Sequence, residues 1–278
     1  MKLRKMIIMP AETPLLSIKV RIMASLVLLG VLLGSCVTTT TGGFNVEASN
    51  EEALDNYIQL AVAYFDTDDM PNARRNLANA LEIDDRNYEA YNVLALIFQR
   101  EGDQELALEN FRRSIRLDRK NSRARNNYAA LLFAMGDYET AFDEIETVTE
   151  DTMYEGRAVA FENLGRSALR LGWVSDAEAA FQRALQLNSN LYVSSVELAL
   201  LLAQREDWQG ARLAFQRYLT TTDFYGIPHT PRALLAGITI EGQLQNQELV
   251  NDFTRILTTL YPESPEYAAL QQRLSDAN

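Results

Sequence analysis

The chain has 278 residues, of which 47% are hydrophobic, and its 26 basic and 38 acidic residues give a net charge of −12. This hydrophobic content suits a folded protein and excludes a wholly disordered chain. The acidic balance excludes a general nucleic-acid binder, because attraction to phosphates requires a basic surface. Proline is scarce while Ala, Leu, Glu and Arg are plentiful, so the composition favours helices throughout.

The N-terminal segment has the features of an export signal. Lys19 and Arg21 precede an apolar run over 22–33, which is long enough for the core of a signal peptide but short for a membrane span. The run ends in Leu-Gly-Ser-Cys at 33–36, which resembles the bacterial lipobox. We therefore expect residues 1–35 to be a lipoprotein signal peptide and Cys36 to be lipidated. An ordinary buried cysteine and a plain transmembrane anchor are the alternatives.

The residues after Cys36 have the composition of a linker. A run of threonines and the pair Gly42-Gly43 are typical of flexible segments, so we expect 36–50 to be a lipidated tether. Removal of 1–35 leaves 21 basic and 37 acidic residues, a net charge of −16. Val37 stands where an inner-membrane retention signal would place Asp, so the lipobox resemblance implies delivery to the outer membrane. Cys36 is the single cysteine, which leaves no partner for a disulfide within the chain.

A helical hairpin is most completely expressed over 161–190. Its first helix carries Phe161, Leu164, Gly165 and Ala168, and after Gly172 a second helix carries three further apolar residues, Ala177, Phe181 and Ala184. Small residues at these positions let two helices approach closely, in the spacing of a tetratricopeptide repeat. One hairpin of this size cannot bury its own apolar face, so the pattern predicts neighbouring hairpins.

The hairpin pattern recurs along the rest of the chain. The small residue of the second helix is repeated at intervals of 34, 34, 36, 34 and 39, at Ala73, Ala107, Ala141, Ala177, Ala211 and Val250. We assign repeats to 54–87, 88–121, 122–155, 158–191, 192–225 and 231–264, and a capping helix to the residues that follow. The predicted fold is all-α, a superhelical tetratricopeptide-repeat solenoid of about six hairpins over 51–278. An unrelated helical bundle is the alternative.

No catalytic arrangement is recognisable. His229 is the single histidine, and we expect it to be a solvated loop residue between the fifth and sixth repeats. Phosphate-binding and nucleophile motifs are absent from the sequence, and acidic runs such as 66–69 are expected to be solvated helix caps. We therefore predict a protein that is not an enzyme, with no metal, no cofactor and no small-molecule substrate.

A solenoid of this kind offers the inner face of its first helices to a partner. In each repeat the second, fifth, ninth and twelfth positions share that face. We predict a groove that receives an apolar peptide or helix of a partner protein. Its candidate residues are Ile58, Val62, Phe65, Leu96, Asn126, Phe133 and Arg166. The alternative is that neighbouring helices cover the apolar members.

Several longer segments resemble a particular protein family more closely than the general repeat pattern does. The lipobox, the six repeats, NNYAALLFAMGDYETAFDEIE at 126–146, DTMYEGRAVAFENLGRSALR at 151–170 and YPESPEY at 261–267 together resemble the type IV pilus biogenesis and stability lipoproteins of the PilF/PilW family. That family consists of pilotins of the pilus secretin. The resemblance implies a lipoprotein on the periplasmic face of the outer membrane that binds secretin subunits and promotes their localisation and multimerisation. Another periplasmic repeat lipoprotein, serving outer-membrane protein insertion or cell-wall enzymes, is the alternative.

Overall fold

The computed structural model describes residues 49–276, and within this range all regular secondary structure is helical. The helices are α1 (Asn50–Asp66), α2 (Met70–Ile83), α3 (Tyr88–Glu101), α4 (Gln104–Leu117), α5 (Ser122–Met135), α6 (Tyr138–Glu150), α7 (Arg157–Leu171), α8 (Val174–Leu187), α9 (Tyr192–Gln204), α10 (Trp208–Tyr225), α11 (Pro231–Gln243), α12 (Gln247–Leu260) and α13 (Pro265–Asp276).

The first twelve helices pair as six hairpins. Each odd-numbered helix, called a first helix below, packs on the helix that follows it and on the first helix of the next hairpin. The final helix α13 packs on α11 as a further first helix would. The prediction of an all-α tetratricopeptide-repeat solenoid is confirmed.

The turn inside each hairpin uses one residue with positive φ. Gly102 has φ of 84°, and in the fifth hairpin the same place is taken by Glu206 with φ of 62°. The next residue then closes the first helix: the amide of Asp103 donates to the carbonyl of Phe98 at 2.9 Å. The Asp103 carboxylate in turn accepts from the amide of Leu106 and caps α4. Turn chemistry therefore fixes where each hairpin folds back.

The space between paired helices is filled by a small residue beside a large one. Ala177 and Phe181 of α8 are both fully buried. Four other hairpins carry alanine at the first of these two positions, and in each of them both positions are buried. Gly165 of α7 faces the ring of Phe181 so closely that a Cβ atom built on it would lie 2.8 Å from the ring. A small residue is thus required where the two helices cross.

Two polar residues that look out of place in the sequence are held by long-range contacts. Arg125, which stands at a position that is usually apolar, forms a largely buried ion pair with Glu144 of α6. His229 is not the solvated residue that the sequence led us to expect, because its side chain is only 19% exposed. Its ring lies 3.3 Å from the hydroxyl of Tyr218, and its carbonyl accepts from Tyr261 at 2.8 Å. These bonds hold the segment 226–230 between the fifth and sixth hairpins.

Candidate partner-binding surface

Polar side chains join the first helices of successive hairpins along one face, called the first-helix face below. Asn127 donates to Asn92 at 3.2 Å, and Asn163 donates to Asn126 at the same distance. In the next pair of hairpins, the Glu162 carboxylate accepts from both the amide and the hydroxyl of Ser194. These bonds hold the inward positions side by side.

The N-terminal candidates are unequally accessible. Ile58 is only 7% exposed, so neighbouring side chains cover it, whereas Val62 is 38% exposed. The ring of Phe65 is half-buried, and the guanidinium of Arg100 lies over it at 3.9 Å from the ring centre. Leu96 is half-buried against the core around Phe111. On this part of the face, Val62 is the candidate most exposed to a partner.

The structure brings the other candidates together around a pocket of about 140 Å³, called the Phe133 pocket below. It is lined by Ala129, Ala130, Phe133, Ala134, Ala141, Ile145, Asn163, Arg166 and Ser167. The guanidinium of Arg166 lies 4.7 Å from the centre of the Phe133 ring, a distance at which a cation is attracted to the ring face. Asn126 borders the pocket through its bond to Asn163.

Asn163 and Ser167 are members of the pocket that the sequence alone did not single out. Asn163 follows an inward position by one residue and faces the preceding first helix, where it bonds Asn126. A pair of asparagines one repeat and one position apart is the signal that could have revealed it. Ser167 is buried and lines the pocket from α7.

The chemistry of the Phe133 pocket suits a polypeptide. An aromatic ring and alanine methyl groups offer an apolar wall, while an amide and a guanidinium offer hydrogen-bond donors at the same opening. A backbone carbonyl or a side-chain oxygen of a partner could accept from these donors while an apolar side chain enters the pocket.

In the range 49–276 no cluster of three or more His, Cys, Asp or Glu side chains is placed to hold a metal ion. None of the helices in that range has both the length and the apolar character needed to cross a membrane. Cys36, the predicted signal peptide and most of the tether lie outside the described residues.

Stacked helical hairpins with a mixed apolar and polar pocket on the first-helix face define a tetratricopeptide-repeat protein, a class whose members bind other proteins. Models of the tetratricopeptide repeat match residues 88–121, 110–143 and 162–225. The chain is also 32% identical to the type IV pilus assembly protein PilF of Pseudomonas aeruginosa over 245 aligned residues. The aligned residues cover 88% of this chain and 95% of that protein. The chain therefore belongs to the PilF family of tetratricopeptide-repeat proteins.

Solved structures agree with this assignment. The structure from a functional characterisation of Pseudomonas aeruginosa PilF has a TM-score of 0.76 and 31% identity, covering 81% of this chain and 99% of its own. The crystal structure of PilW, described as a widely conserved type IV pilus biogenesis factor, has a TM-score of 0.65 and 23% identity, covering 79% of this chain and 99% of its own. The likeness to PilW shows a shared fold.

Proposed function

We propose that this protein is a pilotin of the type IV pilus. In this proposal a lipid on Cys36 holds the protein at the periplasmic face of the outer membrane. The first-helix face binds secretin subunits, and the complex promotes their localisation to that membrane and their multimerisation. The observation that carries the proposal is the match to PilF along 95% of that protein.

The Phe133 pocket supplies a physical means of holding a client. An apolar side chain of the client would pack on the Phe133 ring, and oxygens beside it would accept from Arg166 and Asn163. The side chain of Arg166 is exposed, so it is free to reorient toward such an oxygen. Val62 extends the apolar part of the same face toward the N-terminus.

The lipid would raise the concentration of the client at the membrane. Acyl chains contribute about 0.8 kcal/mol per buried methylene, and more than one chain gives stable anchoring. A client captured by a tethered protein is held within the reach of the tether, which raises the effective concentration of its subunits. Multimerisation of the secretin subunits then takes place at the outer membrane.

The proposal is tested by deleting the gene and assaying heat-resistant secretin multimers on denaturing gels. We expect the multimers to be lost, to return with the wild-type protein, and to stay low with Arg166→Glu at an equal protein level. Cys36→Ser should release the protein from the outer membrane. Arg217→Glu, which reverses a charge at an exposed position of α10, is the matched control and should restore the multimers fully. Normal multimers in the deletion strain would refute the pilotin assignment.

A further inference from the structure

A larger cavity lies on the first-helix face at the other end of the solenoid. Its volume is about 360 Å³, within the range of sites that hold small ligands or peptide side chains. We call it the C-terminal cavity, and it is lined by Leu200, Ala203, Gln204, Trp208, Arg232, Leu235, Ala236, Thr239, Ile240, Glu266 and Arg273. Arg232, Leu235 and Thr239 stand at the second, fifth and ninth positions of the sixth repeat, so the cavity opens on the face that the preceding repeats present.

The interior of the C-terminal cavity is apolar. Leu200 and Leu235 are half-buried and pack against the large core of the C-terminal hairpins, and Ile240 is fully buried beneath them. Trp208, at the start of α10, closes one side. Helix α13 supplies Glu266 and Arg273 and forms another wall. An apolar side chain that entered would therefore lose contact with water on several sides.

The two arginines of the C-terminal cavity differ in their partners. Arg232 is already neutralised, because its guanidinium donates to both carboxylate oxygens of Glu197 at 3.1 and 2.7 Å. Arg273 instead donates to the neutral hydroxyl of Thr239 at 2.9 Å. Among residues 49–276, no carboxylate lies within ion-pair distance of Arg273. Its remaining N–H groups are thus suited to a carboxylate that comes from outside, and a guanidinium can bind one through two parallel bonds.

We propose that the C-terminal cavity binds a segment of a partner protein in which a bulky apolar side chain stands next to an aspartate or glutamate. The apolar side chain fills the space between Leu200 and Leu235, and the acidic side chain pairs with Arg273. Glu266 lines the same cavity and repels further negative charge, so the segment carries one carboxylate and not an acidic run. This inference rests on the proposed function only in that the ligand is a protein.

The experiment selects random heptapeptides displayed on phage against the purified mature protein. We expect enrichment of peptides with a large apolar residue beside Asp or Glu, by about tenfold over the unselected library. Arg273→Glu should reverse the charge preference, so that Lys or Arg replaces the acidic residue in the selected peptides. An unfolded variant cannot produce a reversed charge preference. Arg217→Glu on α10 is the control, and it should keep the preference for acidic peptides.

The proposed binding of an acidic segment in the C-terminal cavity would be wrong if the wild type showed no preference for acidic peptides. It would also be wrong if Arg273→Glu kept that preference. No secretin takes part in this selection. A deletion strain with normal secretin multimers would therefore contradict the pilotin assignment alone, while an unchanged peptide preference in Arg273→Glu would contradict the cavity alone.

Discussion

The close contact between Gly165 and the ring of Phe181 in the fourth hairpin leads to a quantitative prediction for Gly165→Ala. A Cβ atom at this position would lie 2.8 Å from Cε1 of Phe181 and 2.9 Å from two further ring carbons, well inside van der Waals contact. Phe181 is fully buried, so its ring has no solvent to move into. Overpacking of this kind costs about 1–3 kcal/mol. Alanine regains about 1 kcal/mol of helix propensity relative to glycine, so we expect a net loss of about 1 kcal/mol in the free energy of unfolding.

Gly242→Ala is the matched control for this prediction. Gly242 is an exposed helical residue of α11, and the nearest atom to an added Cβ there is a methyl carbon of Val250 at 3.9 Å. This substitution therefore adds helix propensity without a clash, and we expect it to stabilise the protein by up to about 1 kcal/mol. The two substitutions are chemically identical, so their difference measures the contact with Phe181.

Urea denaturation followed by far-ultraviolet circular dichroism measures both changes. Combining Gly165→Ala with Phe181→Leu should recover part of the loss, because the smaller side chain leaves room for the new methyl group. The reasoning is wrong if Gly165→Ala stabilises the protein as much as Gly242→Ala does, since the helices would then have room to separate.

Three further predictions concern a turn, an ion pair and a tyrosine. Glu206→Gly should raise the free energy of unfolding by about 1 kcal/mol because glycine accepts positive φ without strain, and Gly102→Ala should lower it by a similar amount; urea midpoints measure both. Arg125→Ala should lower the free energy of unfolding by about 1–3 kcal/mol, because it leaves the Glu144 carboxylate without its partner. The double variant Arg125→Leu/Glu144→Met should leave that free energy nearly unchanged. A loss in the double variant equal to that in Arg125→Ala would contradict this reasoning. Burial raises the pKa of Tyr218 from 10.0 to about 12, so the stability that this neutral side chain contributes is present below pH 10 and is lost as the pH rises toward 12. Denaturation at several pH values should show a loss of about 2–3 kcal/mol across that window in the wild type and a smaller one in Tyr218→Phe.

Local features of the fold could be predicted because they depend on neighbours in the sequence. The glycine-aspartate pair at 102–103 predicts a positive φ followed by a helix cap, and both residues of the pair need only their own turn to form them. The regular spacing of buried alanines likewise predicts repeated hairpins. Where the pattern lacks glycine, as at Glu206, the turn geometry is the same, because the surrounding hairpin imposes it.

The candidate surface could be predicted only in part. The spacing of the repeats placed Asn126, Phe133 and Arg166 on one face, and the structure brings them to the edge of the same pocket. The spacing of the repeats did not predict that the guanidinium of Arg100 lies over the Phe65 ring, because these residues are 35 apart in the sequence and meet only when two hairpins stack. It also gave no indication of the C-terminal cavity, which needs the wall that α13 supplies.

The sequence by itself determined the class of fold, the period of the hairpins and the inward positions, because helix periodicity and turn conformation act over a few residues. Only the tertiary structure decided which inward side chains remain open to a partner and which charges remain unpaired. Burial and ion pairing join residues about one repeat apart, as Arg232 with Glu197, which is 35 residues away in the sequence, illustrates. Such pairings exist only once the neighbouring hairpins have packed.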